Sequence, residues 1–351
     1  VLFRSGQMIR IQNIYYMLAY AFRILHEQGY RDVAAEAFEN VAELLAEILC
    51  RGVSVQIKRG LCRQYITIEE PLSSPRGKIG IGDSIKSQAL RKRQLVCCYD
   101  EFSINAYTNR IIKTTMLVLL RANISKMRKK EIRKLLIFFE GVDGLEPHNI
   151  HWSIPYDRNN QTYRMIIEIC RFVLEGLLQT SSDGSSRIMD YADDQTMSRL
   201  YEKFILGYYQ REHPELRAYS PQITWQVTDG YKEFLPIMQS DIVIASKETK
   251  KTLIIDAKYY SHNMQLKEPY MTQTIHSGNL YQIFTYVKNW EAAPDESVGG
   301  MLLYARTDDS IQPENDYQMS GNQISVKTLD LNCDFAIIAA QLDSIAERVL
   351  H

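Results

Sequence analysis

Two aspartates and a lysine, Asp241, Asp256 and Lys258, stand in a stretch otherwise built for burial, residues 236–260 (PIMQSDIVIASKETKKTLIIDAKYY). Two apolar, β-branched runs, Ile237–Ala245 and Thr252–Tyr259, flank a polar, lysine-rich turn, which is the pattern of a β-hairpin. If the hairpin folds about Glu248 and Thr249, positions 241 and 256 face each other across the strands, with Cβ atoms roughly 5 Å apart. Period-2 alternation puts Lys258 on the face of Asp256 and turns Ile255 and Ala257 the other way. An unpaired buried carboxylate is costly, and two side by side repel each other. A hard divalent cation relieves that repulsion, since Mg²⁺ takes carboxylate oxygens and keeps several waters. The lysine can then orient or deprotonate a water, or stabilise charge building on a phosphate. The plain alternative is an ordinary hairpin with one surface salt bridge. An Asp, fourteen residues, then Asp-Ala-Lys inside two apolar strands is more specific than that.

Elements on either side must complete such a site. Upstream, Met197–Tyr209 (MSRLYEKFILGYY) has helical spacing, with Met197, Leu200, Tyr201, Phe204, Ile205 and Tyr208 on one stripe. Glu202 lies at the edge of that stripe, where it either reaches over the sheet or pairs with Arg199 or Lys203 as a solvated flank charge. Downstream, Asn279–Val287 (NLYQIFTYV) reads as a second apolar helix, with Gln282 and Tyr286 at i, i+4 on one side. His262 and His276 offer a rival general base, but they share no spacing with the acids.

These residues resemble the core of PD-(D/E)xK nucleases. Asp241 stands for the first acid and Asp256-Ala257-Lys258 for the D-x-K element, with Ser240 where a proline is usual. The resemblance implies metal binding by Asp241 and Asp256, with the Ala257 carbonyl and Glu202 completing the shell, and a catalytic role for Lys258. Gln282 and Tyr286 resemble the Q-x-x-x-Y element of RecB-like nucleases, which braces the lysine and the DNA backbone.

The 351 residues allow two or three domains. Net charge is −1, so no global basic field draws the chain to nucleic acid, and any DNA contact must come from local patches. The candidates are Arg91–Arg93, Lys126–Lys134 and the turn lysines Lys247, Lys250 and Lys251; most such runs are solvated helix faces or turns. The six cysteines include no C-x-x-C, so a zinc site or disulfide framework is not expected. That cysteine usage fits a reducing cytoplasm, and no run of about 18 apolar residues exists, which predicts no membrane span. Residues 1–7 (VLFRSGQ) do not connect to the pattern that follows and read as a non-native extension.

Along the chain, Ile11–Leu25 and Ala34–Cys50 read as an antiparallel helix pair. Val53–Lys58, Gln64–Glu69, Lys78–Asp83 and Leu95–Tyr99 read as four short strands of a small barrel or curled sheet. Helices follow at Ile104–Ala122, Lys129–Phe139 and Gln161–Gln179, then the linker-like TSSDGSS at 180–186. The expected fold class is therefore an α+β N-terminal domain (helices plus a small β-barrel, 8–180) followed by an α/β PD-(D/E)xK endonuclease-like domain (187–351).

The N-terminal half narrows the reading. NIYYMLAYA, RGL at Arg59–Leu61, RGKI at Arg76–Ile79 and NRIIKTT at Asn109–Thr115 all resemble the McrC family, the nuclease subunits of McrBC methyl-directed restriction systems. DAKYY and NLYQ resemble it as well, so the similarity runs in order from about Ile11 to the C-terminus. What it implies is an Mg²⁺-dependent endodeoxyribonuclease (Mn²⁺ able to substitute) that cuts double-stranded DNA. Its partner would be an McrB-like AAA+ GTPase ring, which recognises modified cytosine and translocates DNA. The N-terminal domain would dock on that ring and stimulate GTP hydrolysis; the loop Glu70–Arg76 and the segment Tyr99–Arg110 are candidate contacts on separate grounds, since exposed polar loops on a rigid scaffold are the usual contact makers. The sequence holds no G-x-x-x-x-G-K-[ST], so it has no P-loop of its own. Two rival readings stand beside this one: a non-catalytic activator of an AAA+ ring, and a RecB-like repair nuclease attached to another motor.

Overall fold

The computed structural model describes residues 2–4, 7–22, 38–156, 161–180, 186–188, 194–228, 230, 231, 233–267 and 272–351. The chain forms two compact units, one of residues 45–174 and one combining residues 1–44 with 175–351. The described residues 8–22 and 38–44, grouped by sequence with the first domain, therefore fall within the larger unit. Helix α1 (Ile11–Ala21) shows why. Its Asn13 amide donates to the carbonyls of Leu331 and Cys333, each at 2.8 Å, and its Tyr16 stacks on Phe335 with ring centroids 4.2 Å apart. Among the first seven residues, read as an extension, Leu2–Arg4 pairs antiparallel with a strand at Gln7–Ile9.

In the smaller unit, helix α2 begins at Val41 and runs to Arg59. It absorbs Val53–Lys58, one of the four expected strands. The alternating Val53, Val55 and Ile57 imitate a strand, but Leu49, Val53 and Gln56 recur at helical spacing and are buried together. Ser54 fits inside the helix by donating its hydroxyl to the Cys50 carbonyl at 2.7 Å. The sheet here has three antiparallel strands, β1 (Gln64–Leu72), β2 (Lys78–Ile79) and β3 (Leu95–Ser103), in the order β1-β3-β2. That corrects the expected barrel: among the described residues the N-terminal half holds a three-stranded sheet. Glu70–Leu72 also belongs to β1, paired with Leu95–Cys97, so only the rest of Glu70–Arg76 is loop. Helices α3 (Ile81–Lys86), α4 (Tyr107–Leu119), α5 (Lys126–Leu136) and α6 (Arg164–Arg171) complete the unit. Within α4, the buried Asn109 ties the chain before it by donating to the carbonyls of Cys62 and Ile104, both at 2.8 Å.

The two ends of the linker-like stretch, Thr180 and Ser186, pair with each other in a short antiparallel ladder; residues 181–185 lie outside the described residues. Helix α7 (Asp194–Glu212) then leads into a mixed sheet of six strands. These are β4 (Arg217–Tyr219), β5 (Ile242–Ser246), β6 (Lys251–Lys258), β7 (Ser297–Ala305), β8 (Asn315–Met319) and β9 (Asn322–Leu329), in the order β8-β9-β7-β6-β5-β4. Strands β6, β7 and β9 run parallel, and the outer pairs are antiparallel. The predicted hairpin is β5–β6, with Ile242 opposite Ile255 and Ser246 opposite Lys251. Helix α8 (Ser277–Asn289) is the crossover from β6 to β7 and packs on β6, β7 and β9. Helix α9 (Phe335–Leu350) and α7 pack on β5 and β6. With helices to cover it, β6 is buried from Thr252 to Ala257, the near-continuous burial of a strand with no solvent face.

Two glycines set the close approaches. A Cβ at Gly207 of α7 would lie 2.5 Å from the Tyr20 carbonyl oxygen, so α1 crosses α7 at backbone contact. A Cβ at Gly300 of β7 would lie 2.8 Å from both Ile283 and Val287, so α8 sits directly on the strand. No helix among the described residues is long and apolar enough to cross a membrane.

Candidate active site

The hairpin register carries one residue past the ladder, and there Asp241 meets the strand that holds Asp256. One Asp241 carboxylate oxygen, Oδ2, accepts a hydrogen bond from the Ala257 backbone N–H at 2.8 Å. Asp256 is 1% exposed, and its Oδ2 lies 2.7 Å from Lys258 Nζ. Its Oδ1 has no hydrogen-bond partner. For a group this buried, an unpartnered oxygen is an open coordination position or an unmet cost.

Lys258 is held from a second side. Its Nζ donates to Gln282 Oε1 at 3.1 Å, Gln282 Nε2 donates to the Tyr286 hydroxyl at 2.8 Å, and that hydroxyl donates to the Gln239 carbonyl at 3.0 Å. The i, i+4 pair on α8 thus fixes the lysine and ties the helix to the segment just before Asp241. Burial of Tyr286 among Ile223, Met238 and Ile283 anchors the end of this chain.

The charges explain one another. Burial, then the nearby Asp256 and Glu202, push the Asp241 carboxyl up to about 8. Burial also raises Asp256, opposed by the charge and hydrogen bond of Lys258 and by a hydrogen bond shared with the Asp241 carboxyl. Of the two acids, Asp241 takes the proton and Asp256, beside the ammonium, keeps the negative charge. Burial alone would lower Lys258, but the charge of Asp256, its hydrogen bond, and Tyr260 and Asp241 together hold it above its ordinary value.

Glu202 sits on α7, half-buried, 3.3 Å from the Ser198 hydroxyl that donates to it. Burial raises its carboxyl, and Lys258 and Asp256 are close enough to act on it. It is not the partner of Arg199, which pairs with Glu175 at 3.3 Å. Among the described residues no three His, Cys, Asp or Glu side chains are gathered as a metal cage. The fit to a divalent cation therefore rests on the two aspartates. Asp256 offers an unpartnered oxygen, and Asp241, raised by burial and by the charges of Asp256 and Glu202, is a carboxyl that a cation would favour in its ionised form. This donor chemistry suits a hard ion that keeps most of its waters. The histidines are engaged with other groups: His262 faces Asp309 at 3.2 Å, while His276 Nε2 lies 3.3 Å from the His262 carbonyl and its ring packs on Tyr260 with centroids 5.4 Å apart.

Three side chains at the site were not singled out by sequence. Tyr260 donates to Asn279 Oδ1 at 3.2 Å, and Asn279 Nδ2 donates to the buried Tyr304 hydroxyl at 2.9 Å. This chain flanks Lys258 where β6 ends. The signal was present, because Tyr260 is two residues beyond Lys258 and Asn279 is one helical turn before Gln282. Both periodicities place them beside residues already selected.

Comparison with known proteins identifies the family. The chain is 29% identical over 350 residues to the "Type IV methyl-directed restriction enzyme EcoKMcrBC" of Escherichia coli (strain K12), covering 97% of this chain and 98% of that one. It also resembles a chain from a tetradecameric assembly of Thermococcus gammatolerans McrB AAA+ hexamers with bound McrC. There identity is 17%, the TM-score is 0.48, and coverage is 95% of this chain and 76% of the other. A second structure, the Thermococcus gammatolerans McrBC complex, matches at 19% identity and a TM-score of 0.37, covering 57% and 58%. The model of the McrBC 5-methylcytosine restriction system component matches residues 3–305. With that span matched, the chain belongs to the family of McrBC 5-methylcytosine restriction system components.

Proposed function

We propose that this chain is the DNA-cleaving subunit of its restriction system, hydrolysing phosphodiester bonds in double-stranded DNA with Mg²⁺. The observation that carries this reading is the buried Asp256, with one oxygen unpartnered and the other on Lys258, beside a second carboxyl that burial holds protonated. Asp241 and Asp256 would hold the cation, with the Ala257 carbonyl and Glu202 as further oxygen donors. When bound, the cation would polarise a phosphate oxygen and acidify a bound water.

The chain's own residues do the rest. Lys258 Nζ is engaged by two acceptors, Asp256 and Gln282, which makes it a fixed donor. Its role is to stabilise negative charge building on the phosphate, with no reorganisation at the moment of reaction. Gln282 and Tyr286 position that ammonium. The site chemistry needs no nucleotide, and the chain has no P-loop, so GTP-driven translocation falls to an AAA+ GTPase partner whose activity this subunit stimulates.

The test is cleavage of 5-methylcytosine-containing DNA by the chain with its GTPase partner, GTP and Mg²⁺. Asp256→Asn should abolish cleavage and leave GTPase stimulation intact. Undiminished cleavage by that variant would contradict the assignment. Equal failure of wild type and variant to cut, with GTPase stimulation in both, would support the activator reading instead.

A further inference from the structure

Helix α5 carries a charge pattern that the nuclease site does not use. It is firmly built, with the Ser125 side chain accepting the Arg128 N–H at 3.1 Å as its N-cap. Arg128, Ile132 and Leu135 form its buried stripe. On the opposite side Lys126, Lys130, Arg133 and Lys134 recur at i, i+4, i+7 and i+8, all exposed, with Lys129 at the edge. The helix has one acid, Glu131, and it is turned onto Arg128 at 2.5 Å, which also pairs with the buried Glu47. Among the described residues, none of the four exposed cations is in an ion pair with an acid.

Ordinary solvated helices mix their signs. In α7, Asp194, Glu202 and Glu212 are interspersed with Arg199, Lys203 and Arg211. Like charges at i, i+4 destabilise an isolated helix. A single-sign face in a chain of net charge −1 is therefore a local feature kept against helix stability. It also meets the requirement set by that net charge, that any contact with a polyanion be local.

We propose that this face of α5 binds the phosphate backbone of duplex DNA, an inference that rests on the DNA-cleaving reading for its choice of polyanion. The length suits that ligand. Lys126 to Lys134 spans about 12 Å at 1.5 Å per residue, which is the axial run of three to four phosphates on one strand at about 3.4 Å each. Side chains on one stripe, with no acid among them, neutralise phosphates without reading bases, so the contact is independent of sequence and methylation.

The experiment is fluorescence anisotropy of a labelled duplex titrated with the full chain in EDTA, over roughly 50–200 mM salt. The variant is Lys126→Gln/Lys130→Gln/Arg133→Gln/Lys134→Gln, with Lys126→Arg/Lys130→Arg/Lys134→Arg as the charge-conserving control. The account predicts at least ~10-fold weaker binding at low salt for the glutamine variant, and a log–log salt slope shallower by about three to four. The arginine control should match wild type, and Mn²⁺ binding should be unchanged in both variants. Unchanged affinity and slope in the glutamine variant, or no duplex binding by wild type, would overturn the proposal. So would intact DNA binding with loss of GTPase stimulation, which would assign the face to a protein partner. A failed nuclease reading would look different: DNA binding dependent on α5, without divalent-cation binding at Asp241 and Asp256.

Discussion

Asp241 and Ala257 are joined by a hydrogen bond, the side-chain carboxylate of one accepting from the backbone N–H of the other at 2.8 Å. The first acid is thus held by the strand that carries the second acid and the lysine. One consequence concerns substitution. An asparagine at 241 keeps an oxygen to accept that N–H but removes the titratable carboxyl, raised to about 8 by burial and the nearby Asp256, and with it a cation ligand. Asp241→Asn should therefore fold at least as stably as wild type in the absence of cation and yet lose DNA cleavage. Urea denaturation in EDTA together with a cleavage assay checks this, and a large loss of stability would show that the carboxylate is structural.

The same pair sets a pH dependence. The Asp241 carboxyl titrates near 8 in the folded, cation-free protein and near about 3.9 in an unfolded chain. The folded state thus binds this proton more tightly, so its contribution to stability is full below about pH 4 and declines as pH rises towards 8. The decline is at most about 1.4 kcal/mol per pH unit and ends above the folded value. Wild type minus Asp241→Asn, measured by urea denaturation across this range in EDTA, isolates that slope. Saturating Mg²⁺ should flatten it, because the cation displaces the proton. Parallel pH profiles for the two proteins would contradict the assignment.

In the proposed mechanism Gln282 and Tyr286 act by positioning Lys258, to which their hydrogen bonds lead. Gln282→Ala removes the acceptor of Lys258 and should lower the cleavage rate by roughly 10–100-fold, as loss of a supporting hydrogen bond does at metal sites. Tyr286→Phe keeps the packing and removes the hydroxyl that accepts from Gln282 and donates to the Gln239 carbonyl, while Gln282 stays on Lys258, so a smaller loss is expected. Cation affinity should hold in both, since neither residue is a ligand. A cation-binding defect in Gln282→Ala would change its role.

Gly300 connects packing to the site. An added methyl meets Ile283 and Val287 at 2.8 Å and Ile324 at 3.0 Å. Gly300→Ala should cost about 1–3 kcal/mol, the usual penalty of overpacking. By lifting α8 it should also move Gln282 off Lys258 and slow cleavage. Denaturation and cleavage measured together test both links, and an unchanged midpoint would mean that α8 is free to shift.

The hairpin was legible because two local signals agree: a turn of polar residues at 247–250 and apolar alternation on both sides. Together they determine the register, and Ile242 opposite Ile255 follows from them. Helical spacing put Gln282 and Tyr286 on one side, and the resemblance to a Q-x-x-x-Y element after the hairpin singled them out. What escaped depends on distant packing. Val53, Val55 and Ile57 alternate like a strand, yet the buried stripe of α2 carries the helix through them. The seating of α1 on α7 at Gly207 joins residues nearly two hundred positions apart, and no local pattern announces it. Tyr260 and Asn279 were missed for a different reason. An aromatic or an amide at core spacing reads as packing until the lysine beside it is known to be charged.

The central claim, that Asp241 and Asp256 build one divalent-cation site, is tested most directly by calorimetric titration of Mn²⁺ into the isolated chain and into its Asp241→Asn and Asp256→Asn variants. The account predicts a single site in wild type, lost in both variants. Equal binding heats in all three proteins would contradict it, and the pair would then be a hairpin's buried ion cluster with no part in chemistry.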